Sequence, residues 1–259
     1  MTDSLIFIDT HCHFDAAEFA LDRDGEYARA RAGGVSTQII PSVAYENFAD
    51  VAAVCTRYAG CLPAWGLHPM LIAAHRVEHL ARLREWIERQ RPVAIGEIGL
   101  DFFVRGLDPA TQEYFYVEQL KIAREYDLPV LLHCRKSVDQ LLKHLRRIRV
   151  RGGIAHAFNG SAQQADMLIQ LGFKLGFGGA FTWPRANKLR RLAADLPLES
   201  IVLETDSPDI PPVWVGKGRN SPAELPQIAR VFAELRGIST AEVSAITTAN
   251  ARAVLALNA

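Results

Sequence analysis

The feature that most constrains the fold is a regular alternation of short apolar segments with longer segments of helical period. Eight short segments rich in strand-forming residues are predicted as β-strands: residues 5–8, 35–40, 62–66, 93–95, 129–132, 153–155, 174–177 and 201–203. The segments between them carry apolar residues three and four positions apart, as amphipathic helices do, most clearly at residues 77–90, 111–126, 137–148 and 162–171. This alternation favours parallel strands joined by right-handed helical crossovers.

A single (β/α)8 TIM barrel of the α/β class is the simplest closure of eight such units. The sequence shows no linker, internal repeat or low-complexity segment, so residues 1–259 are predicted to form one domain. Two further helical patterns, at residues 225–236 and 240–257, are expected to complete the outer ring of helices.

Polar side chains follow five of the eight predicted strands, at the end of the barrel where such enzymes carry their active sites. The first strand ends in DTHCHFD, in which His11 and His13 leave an extended chain on the same side, ~7 Å apart at the backbone. The residues that follow the other strands are Glu97 and Asp101, His133 and Arg135, His156 and Asn159, and Glu204 and Asp206.

These side chains predict a site for two divalent metal cations. A single histidine at a strand end is well explained as a hydrogen-bonded core residue, but that explanation would have to hold separately at five strand ends. Four histidines and two acids match the needs of two ions, because each ion takes four to six donors and one carboxylate can bridge them. Imidazoles favour zinc or manganese, whereas oxygen ligands also admit magnesium.

The charge balance and the hydropathy of the sequence limit the classes of protein to which it can belong. The 29 basic residues balance the 29 acidic ones, so a polyanionic substrate has to be bound by local groups rather than by bulk charge. No apolar segment approaches the ~20 residues of a membrane span, and the N-terminus lacks the pattern of a signal peptide. We therefore expect a cytoplasmic protein and, in the absence of a heptad pattern, a monomer.

Six motifs occur in order along the chain: DTHCH, GLHP, GEIGLD, HCR, HAFNGS and ETDSP. Together they resemble the motifs of TatD-type metal-dependent hydrolases, from Asp9 to about Asn250, with the greatest similarity to the YjjV-like branch of that family. The resemblance implies a TIM barrel that holds two divalent ions. It assigns His11, His13 and Asp206 to one ion, His133 and His156 to the other, and Glu97 to the bridge between them.

Because the family includes nucleases, the resemblance also implies phosphodiester hydrolysis, with nucleic acid trimmed at single-stranded ends from the 3′ side. The match departs at Lys136, where many relatives have Asp, and in HAFNGS at Ala157 and Asn159. None of these is a ligand position, so the departures bear on substrate contacts rather than on the metals.

A two-metal hydrolase also needs a base and groups that orient the ligands. Asp206 is predicted as both ligand and base, since it follows the last strand and is held by Pro208, and Glu97 is counted with it as catalytic. Glu204 is interpreted either as a partner that orients a ligand histidine or as part of a buried salt bridge. Asp9 is expected to support the ligands or to fill the barrel interior.

Substrate contacts are predicted from donors near the same end of the barrel. Arg135 has a planar donor fork suited to phosphate, and His68 of GLHP, too isolated to be named a ligand, could donate to a substrate oxygen. The remaining candidates are Asn159, Lys217, Arg219 and Asn220. The basic run at residues 143–151 ends a helix and is interpreted as a solvated helix end.

Two other functions remain open on the sequence. One is hydrolysis of carboxyl esters or amides, including aminoacyl esters on RNA, because a metal-bound hydroxide also attacks carbon. Many amidohydrolase barrels bridge their metals with a carboxylated lysine after strand four, and Glu97 in that place favours the phosphodiesterase. The other is a non-catalytic protein that binds metal or a ligand.

Overall fold

Eight parallel strands, paired in chain order, form the centre of the structure, a computed structural model that describes residues 5–257. The strands are β1 (Phe7–Asp9), β2 (Val35–Pro41), β3 (Cys61–Trp65), β4 (Ala94–Asp101), β5 (Val130–Arg135), β6 (Gly153–Ala155), β7 (Phe173–Phe177) and β8 (Ile201–Leu203). The barrel closes where the Thr10 amide donates to the Leu203 carbonyl at 3.2 Å and the Asp206 amide to that of His11 at 2.8 Å. The predicted TIM barrel is confirmed.

Amphipathic helices follow the strands. They are α1 (Arg23–Ala32), α2 (Phe48–Arg57), α3 (Glu78–Arg89), α4 (Pro109–Glu125), α5 (Val138–Arg147), α6 (Ala162–Gln170), α7 (Asn187–Asp195), α8 (Leu225–Arg236) and α9 (Thr240–Leu255). Capping side chains fix several starts: Asp108 accepts from the Thr111 amide before α4, and Ser161 and Gln164 form a capping box on α6. Within residues 5–257, no helix is both long and apolar enough to span a membrane.

One layer of the barrel interior is apolar and lies away from the histidines. It takes a side chain from each of seven strands: Ile8, Ile39, Ala64, Ala94, Leu131, Ile154 and Val202. Helix α9 packs Ala251, Val254 and Leu255 against this layer, whereas α8 packs on α7 and α9 outside the barrel. The expectation that both C-terminal helices complete the outer ring is therefore wrong for α9, which buries its apolar face against the interior layer.

Strands β4 and β5 are longer than the sequence predicted, since GEIGLD lies within β4 and His133 and Arg135 lie within β5. All of β4 is buried, and its carboxylates at positions 97 and 101 share one face because side chains alternate along a strand. Gly99 between them allows close packing, because a Cβ there would lie 2.0 Å from the His133 carbonyl oxygen. The carboxylates of Glu97 and Asp101 are thus held directly against His133, the candidate ligand on β5.

Candidate metal centre

The Glu97 carboxylate lies at the centre of a cluster of five imidazoles at the carboxyl ends of the strands. Its Oε2 is 3.1 Å from His11 Nε2 and 3.6 Å from His13 Nε2. Its Oε1 is 2.8 Å from His133 Nδ1 and 2.9 Å from His156 Nε2. The two oxygens of one buried carboxylate therefore face two different groups of histidines.

His68 belongs to this cluster, although in the sequence it is isolated. Its Nε2 lies 3.1 Å from Glu97 Oε1 and 3.1 Å from His133 Nδ1. His68 is buried and begins the turn after β3, where its Nδ1 accepts from the Met70 amide. The structure thus places the residue predicted to touch substrate within reach of the ligand set itself.

Asp206 lies beside His11 and His13, the two histidines of the cluster that follow β1. Its Oδ1 is 3.6 Å from His11 Nε2 and 3.7 Å from His13 Nε2. Three groups bring ligand atoms within 4.8 Å of one another: His11, His13 and Asp206; His11, Glu97 and His156; and His68, Glu97 and His133. The first group is the set that the resemblance assigned to one ion, and Glu97 is shared by the other two.

The donor set fits divalent cations better than it fits hydrogen bonding alone. Three imidazole nitrogens approach the single atom Glu97 Oε1 within 3.1 Å, although an oxygen with two lone pairs cannot accept well from all three. His11 and His156 stack with ring centroids 3.9 Å apart, and the Nδ1 atoms of both rings are buried without a hydrogen-bond partner among residues 5–257. Neutral imidazole and carboxylate are the usual ligands of zinc and similar ions.

The two carboxyl groups of the cluster differ in protonation behaviour. Burial disfavours the Glu97 carboxylate, but His68, His156 and His11 outweigh burial and hold its pKa well below the usual range. Burial raises the pKa of Asp206 to about 6, although His156 and His13 act in the opposite direction. Glu97 is therefore ionised at neutral pH, whereas Asp206 can accept and release a proton there.

Asp101 fixes the orientation of His133, a role that the sequence did not reveal. Its Oδ2 lies 3.0 Å from His133 Nε2, and its Oδ1 accepts from the amides of Phe103 and Val104. Since Nε2 is held by this carboxylate, Nδ1 is the nitrogen that faces Glu97. The available signal was the spacing of four residues between Glu97 and Asp101, which puts both on one face of β4.

Glu204 lies beside His156, the position expected of a partner that orients a ligand histidine, which was the first of its two interpretations from the sequence. Its Oε1 accepts from the Ala157 amide and is 3.7 Å from His156 Nδ1, and its Oε2 is buried with no hydrogen-bond partner in the described part of the chain. The carboxylate rests on Gly176 of β7, where a Cβ would lie 2.1 Å from Oε2. The absence of a side chain at Gly176 therefore makes room for Glu204 next to His156, a candidate ligand.

The Gly176→Ala substitution should disturb the metal centre through Glu204. The new Cβ would displace the carboxylate from Ala157 and His156, and loss of such a supporting group costs ~10–100-fold in metal affinity or activity. Metal affinity, measured by competition with a chelating dye, and kcat should both fall. Gly25→Ala is the matched control, since a Cβ at Gly25 meets nothing within 4 Å. Unchanged metal affinity and kcat in Gly176→Ala would contradict this role of Glu204.

Asp9 connects β1 to the segment that carries Asp206. Its Oδ1 accepts from the amides of His11 and Thr205, and its Oδ2 accepts from the Thr205 hydroxyl at 2.6 Å. Asp9 is fully buried. None of these hydrogen bonds involves the His11 ring or the Asp206 carboxylate. Asp9 thus links the backbone of His11 to Thr205, the residue that precedes Asp206, and its role as a support for metal ligands stays a prediction.

A cavity of about 800 Å³ opens above the cluster. Its lining includes six members of the cluster, together with Arg135 and Asn159; the six are His13, His68, Glu97, His133, His156 and Asp206. Arg135 is exposed, and its guanidinium lies 3.9 Å from the centre of the Phe103 ring. Two of the predicted substrate contacts, Arg135 and Asn159, thus face the space where a substrate would lie.

Three other predicted substrate contacts, Lys217, Arg219 and Asn220, are not among the residues that line the cavity. Lys217 is exposed. Arg219 forms an ion pair with Asp22 at 2.7 Å and lies over the Phe19 ring. Asn220 is fully buried, and its amide donates to the carbonyls of Thr205, Asp209 and Ile210. The donors of Arg219 and Asn220 hold the loop after β8 in place, so the structure does not offer them to a substrate.

The Asn220→Ala substitution should therefore lower stability rather than raise KM. It leaves the buried Thr205 carbonyl and the partly buried carbonyls of Asp209 and Ile210 without their donor, at a cost of ~2–3 kcal/mol. We expect the Tm to fall by ~5 °C or more in a thermal scan of a protein of this size. The exposed residue Asn187 provides the control, since Asn187→Ala should leave the Tm unchanged. An unchanged Tm with a raised KM for substrate would instead restore Asn220 as a substrate contact.

Comparison with known proteins agrees with the cluster. Residues 8–256 match the family model described as TatD related DNase. The chain belongs to the TatD-related DNase family. It is 46% identical over 234 residues to the metal-dependent hydrolase YjjV of Escherichia coli K12, an alignment that covers 88% of each chain. It is also 36% identical over 258 residues to the 3′-5′ ssDNA/RNA exonuclease TatD of Cronobacter sakazakii, which covers 97% of this chain and 98% of that protein.

The TatD-related fold extends over the chain. The crystal structure of the E. coli TatD homologue YjjV superposes with a TM-score of 0.94 at 41% identity and covers 97% of this chain and 98% of its own. The resemblance drawn from the six motifs is thereby confirmed, and the protein is a member of a family of metal-dependent hydrolases. Which metal it uses, and which residues bind it, stay predictions.

Proposed function

We propose that this protein hydrolyses phosphodiester bonds at the 3′ ends of single-stranded DNA or RNA with the help of two divalent cations. The observation that carries the proposal is Glu97, whose two oxygens face separate groups of imidazoles beneath an open cavity. The TatD relative from Cronobacter bears the name of a 3′-5′ exonuclease of single-stranded DNA and RNA, which supports this choice of substrate.

The residues suited to the cations fall into two groups that share Glu97. His11, His13 and Asp206 would hold one ion, and His133 and His156, with His68 nearby, would hold the other. When bound, a pair of such ions lowers the pKa of an attacking water and stabilises charge on the phosphoryl oxygens.

The protein's own groups provide the remaining steps. The Asp206 carboxylate lies beside His11 and His13, where it can accept a proton from the attacking water. Asp101 holds the His133 ring by a 3.0 Å contact to Nε2, on the side opposite Glu97, and Glu204 lies 3.7 Å from His156 Nδ1, near enough to orient that ring by charge. The Arg135 guanidinium presents parallel N–H donors to a phosphate oxygen in the cavity.

The test begins with metal analysis of the purified protein. The metal-free and metal-reconstituted forms are then assayed on single-stranded DNA, single-stranded RNA, an aryl phosphodiester and an aryl ester. We expect removal of metal to abolish cleavage of both nucleic acids and of the aryl phosphodiester, and addition of Zn²⁺, Mn²⁺ or Mg²⁺ to restore it.

Cleavage of the aryl ester without any phosphodiesterase activity in the reconstituted protein would overturn the proposal in favour of an ester or amide hydrolase. Tight metal binding without turnover of any of the four substrates would favour a binding protein. Product analysis of a 5′-labelled oligonucleotide gives the direction, since trimming from the 3′ end yields a ladder of labelled fragments that shorten with time.

A further inference from the structure

A second groove, of about 650 Å³, adjoins the cavity of the metal centre. The two share Cys134, Arg135 and Asn159, so they are continuous at the end of β5. The rest of the second groove is formed by the loop after β4, the first turn of α5 and the residues that precede and begin α6. A chain that enters the metal centre can therefore extend into this groove.

Two cations lie together on one side of this groove. The Arg135 guanidinium is 3.9 Å and the Lys136 ammonium 4.8 Å from the centre of the Phe103 ring, which is itself 48% exposed. An aromatic ring under a guanidinium holds it in one plane and leaves its N–H donors free for a phosphate. Within residues 5–257, neither cation lies within 4.0 Å of a carboxylate oxygen, and both side chains are exposed, so both are available to an anion.

The wall formed by α5 adds further donors. The Ser137 hydroxyl precedes this ten-residue helix but donates to the Leu100 carbonyl at 2.6 Å, so it does not cap the first amides of α5. Free amides at a helix start attract anions. Asp139 is the one acidic residue in the lining, and its Oδ1 already accepts from Gln164 Nε2 at 2.8 Å. Since Arg135 and Lys136 are also in the lining, the groove carries a net positive charge.

We propose that this groove binds the backbone phosphate of a nucleotide on the 5′ side of the scissile bond, through Arg135, Lys136 and the first amides of α5. The proposal rests on the proposed function. Lys136 lies three residues beyond His133, or ~10 Å along an extended strand, which corresponds to two or three nucleotides at ~3.4 Å per stacked base. The exposed Phe102 ring in the lining provides a surface on which a base can stack.

The consequence is a preference for substrates of three or more nucleotides. We expect kcat/KM of the reconstituted protein to rise from thymidine 5′-p-nitrophenyl phosphate through the dinucleotide to the tri- and tetranucleotide. In Lys136→Glu and Phe103→Ala the values for tri- and tetranucleotides should fall by about tenfold, mainly through KM, so that the dependence on length is reduced. A tenfold change corresponds to ~1.4 kcal/mol, within the range of one nucleotide contact.

Lys143→Glu is the matched control, because it makes the same change of charge at an exposed site on α5 outside both cavities. Binding of a fluorescein-labelled dT10 to the metal-free protein, followed by fluorescence anisotropy, gives a readout that does not depend on turnover. Weaker binding in Lys136→Glu and Phe103→Ala, but not in Lys143→Glu, supports the groove whether or not the wild type cleaves a phosphodiester. A wild type that binds dT10 in this way but cleaves no phosphodiester overturns the proposed function and leaves the groove standing. Equal affinity and an equal dependence on length in all four proteins would overturn the groove.

Discussion

Glu97→Ala should reduce the bound metal to one ion per chain or fewer and abolish turnover. Among the described residues, Glu97 is the one side chain that faces both groups of imidazoles, with His11 on Oε2 and His133 and His156 on Oε1. Removing it deletes the predicted bridging ligand and also takes away the buried negative charge that offsets protonation of the imidazoles around it. No other substitution in the cluster removes a ligand from both groups.

The measurement is the metal content after dialysis against a metal-containing buffer, read by atomic emission beside kcat on single-stranded DNA. Glu97→Gln keeps the shape of the side chain but has only one oxygen, so it separates loss of the bridge from loss of packing. Glu199→Gln, at an exposed site, should keep both ions and full activity. Two tightly bound ions in Glu97→Ala would show that the bridge is assigned to the wrong residue.

The sequence was sufficient to predict the barrel because the strand and helix periods alternate without interruption. The C-terminal segments 201–203 and 225–236 were predicted with the bounds that the structure has for β8 and α8. Strands β4 and β5 were predicted too short, because the polar residues of GEIGLD and HCR are typical of loops. Inside this barrel the same residues are buried on strands, where Glu97, Asp101 and His133 are partners of one another.

The cluster was predicted from residue types at strand ends, whereas the contacts within it could not be predicted from the sequence. His68 lies in a turn after β3 with no neighbouring acid in the sequence, so only the closure of the barrel brings it to Glu97. Lys217, Arg219 and Asn220 lie in a loop whose direction no periodicity specifies. Their basic and amide groups are instead used within the protein or exposed to solvent. The monomeric state, the cytoplasmic location and a domain that includes the ends beyond residues 5–257 stay predictions.

Asp206→Asn should lower kcat by ~10³-fold, even when metal is saturating, because an amide cannot accept the proton of the attacking water. The variant should fold normally. Asp206 has φ 56°, in the left-handed region that Asn adopts as readily as Asp, so the exchange adds no backbone strain. The ligand atom closest to His11 and His13 is an oxygen that asparagine also has.

A titration of activity with metal separates the two roles of Asp206. If the carboxylate were only a ligand, excess metal would refill the weakened site and bring kcat back to the wild-type value. As the base, its loss leaves kcat low at every metal concentration, while KM for a single-stranded oligonucleotide changes little because Arg135 and the second groove are intact. Asp166→Asn, at an exposed site on α6, controls for the change of charge and should behave as wild type. Within residues 5–257, Asp206 and Glu97 are the two acids within 4 Å of both His11 and His13. Recovery of kcat by metal would therefore overturn Asp206 as the base and leave Glu97 or solvent to take the proton.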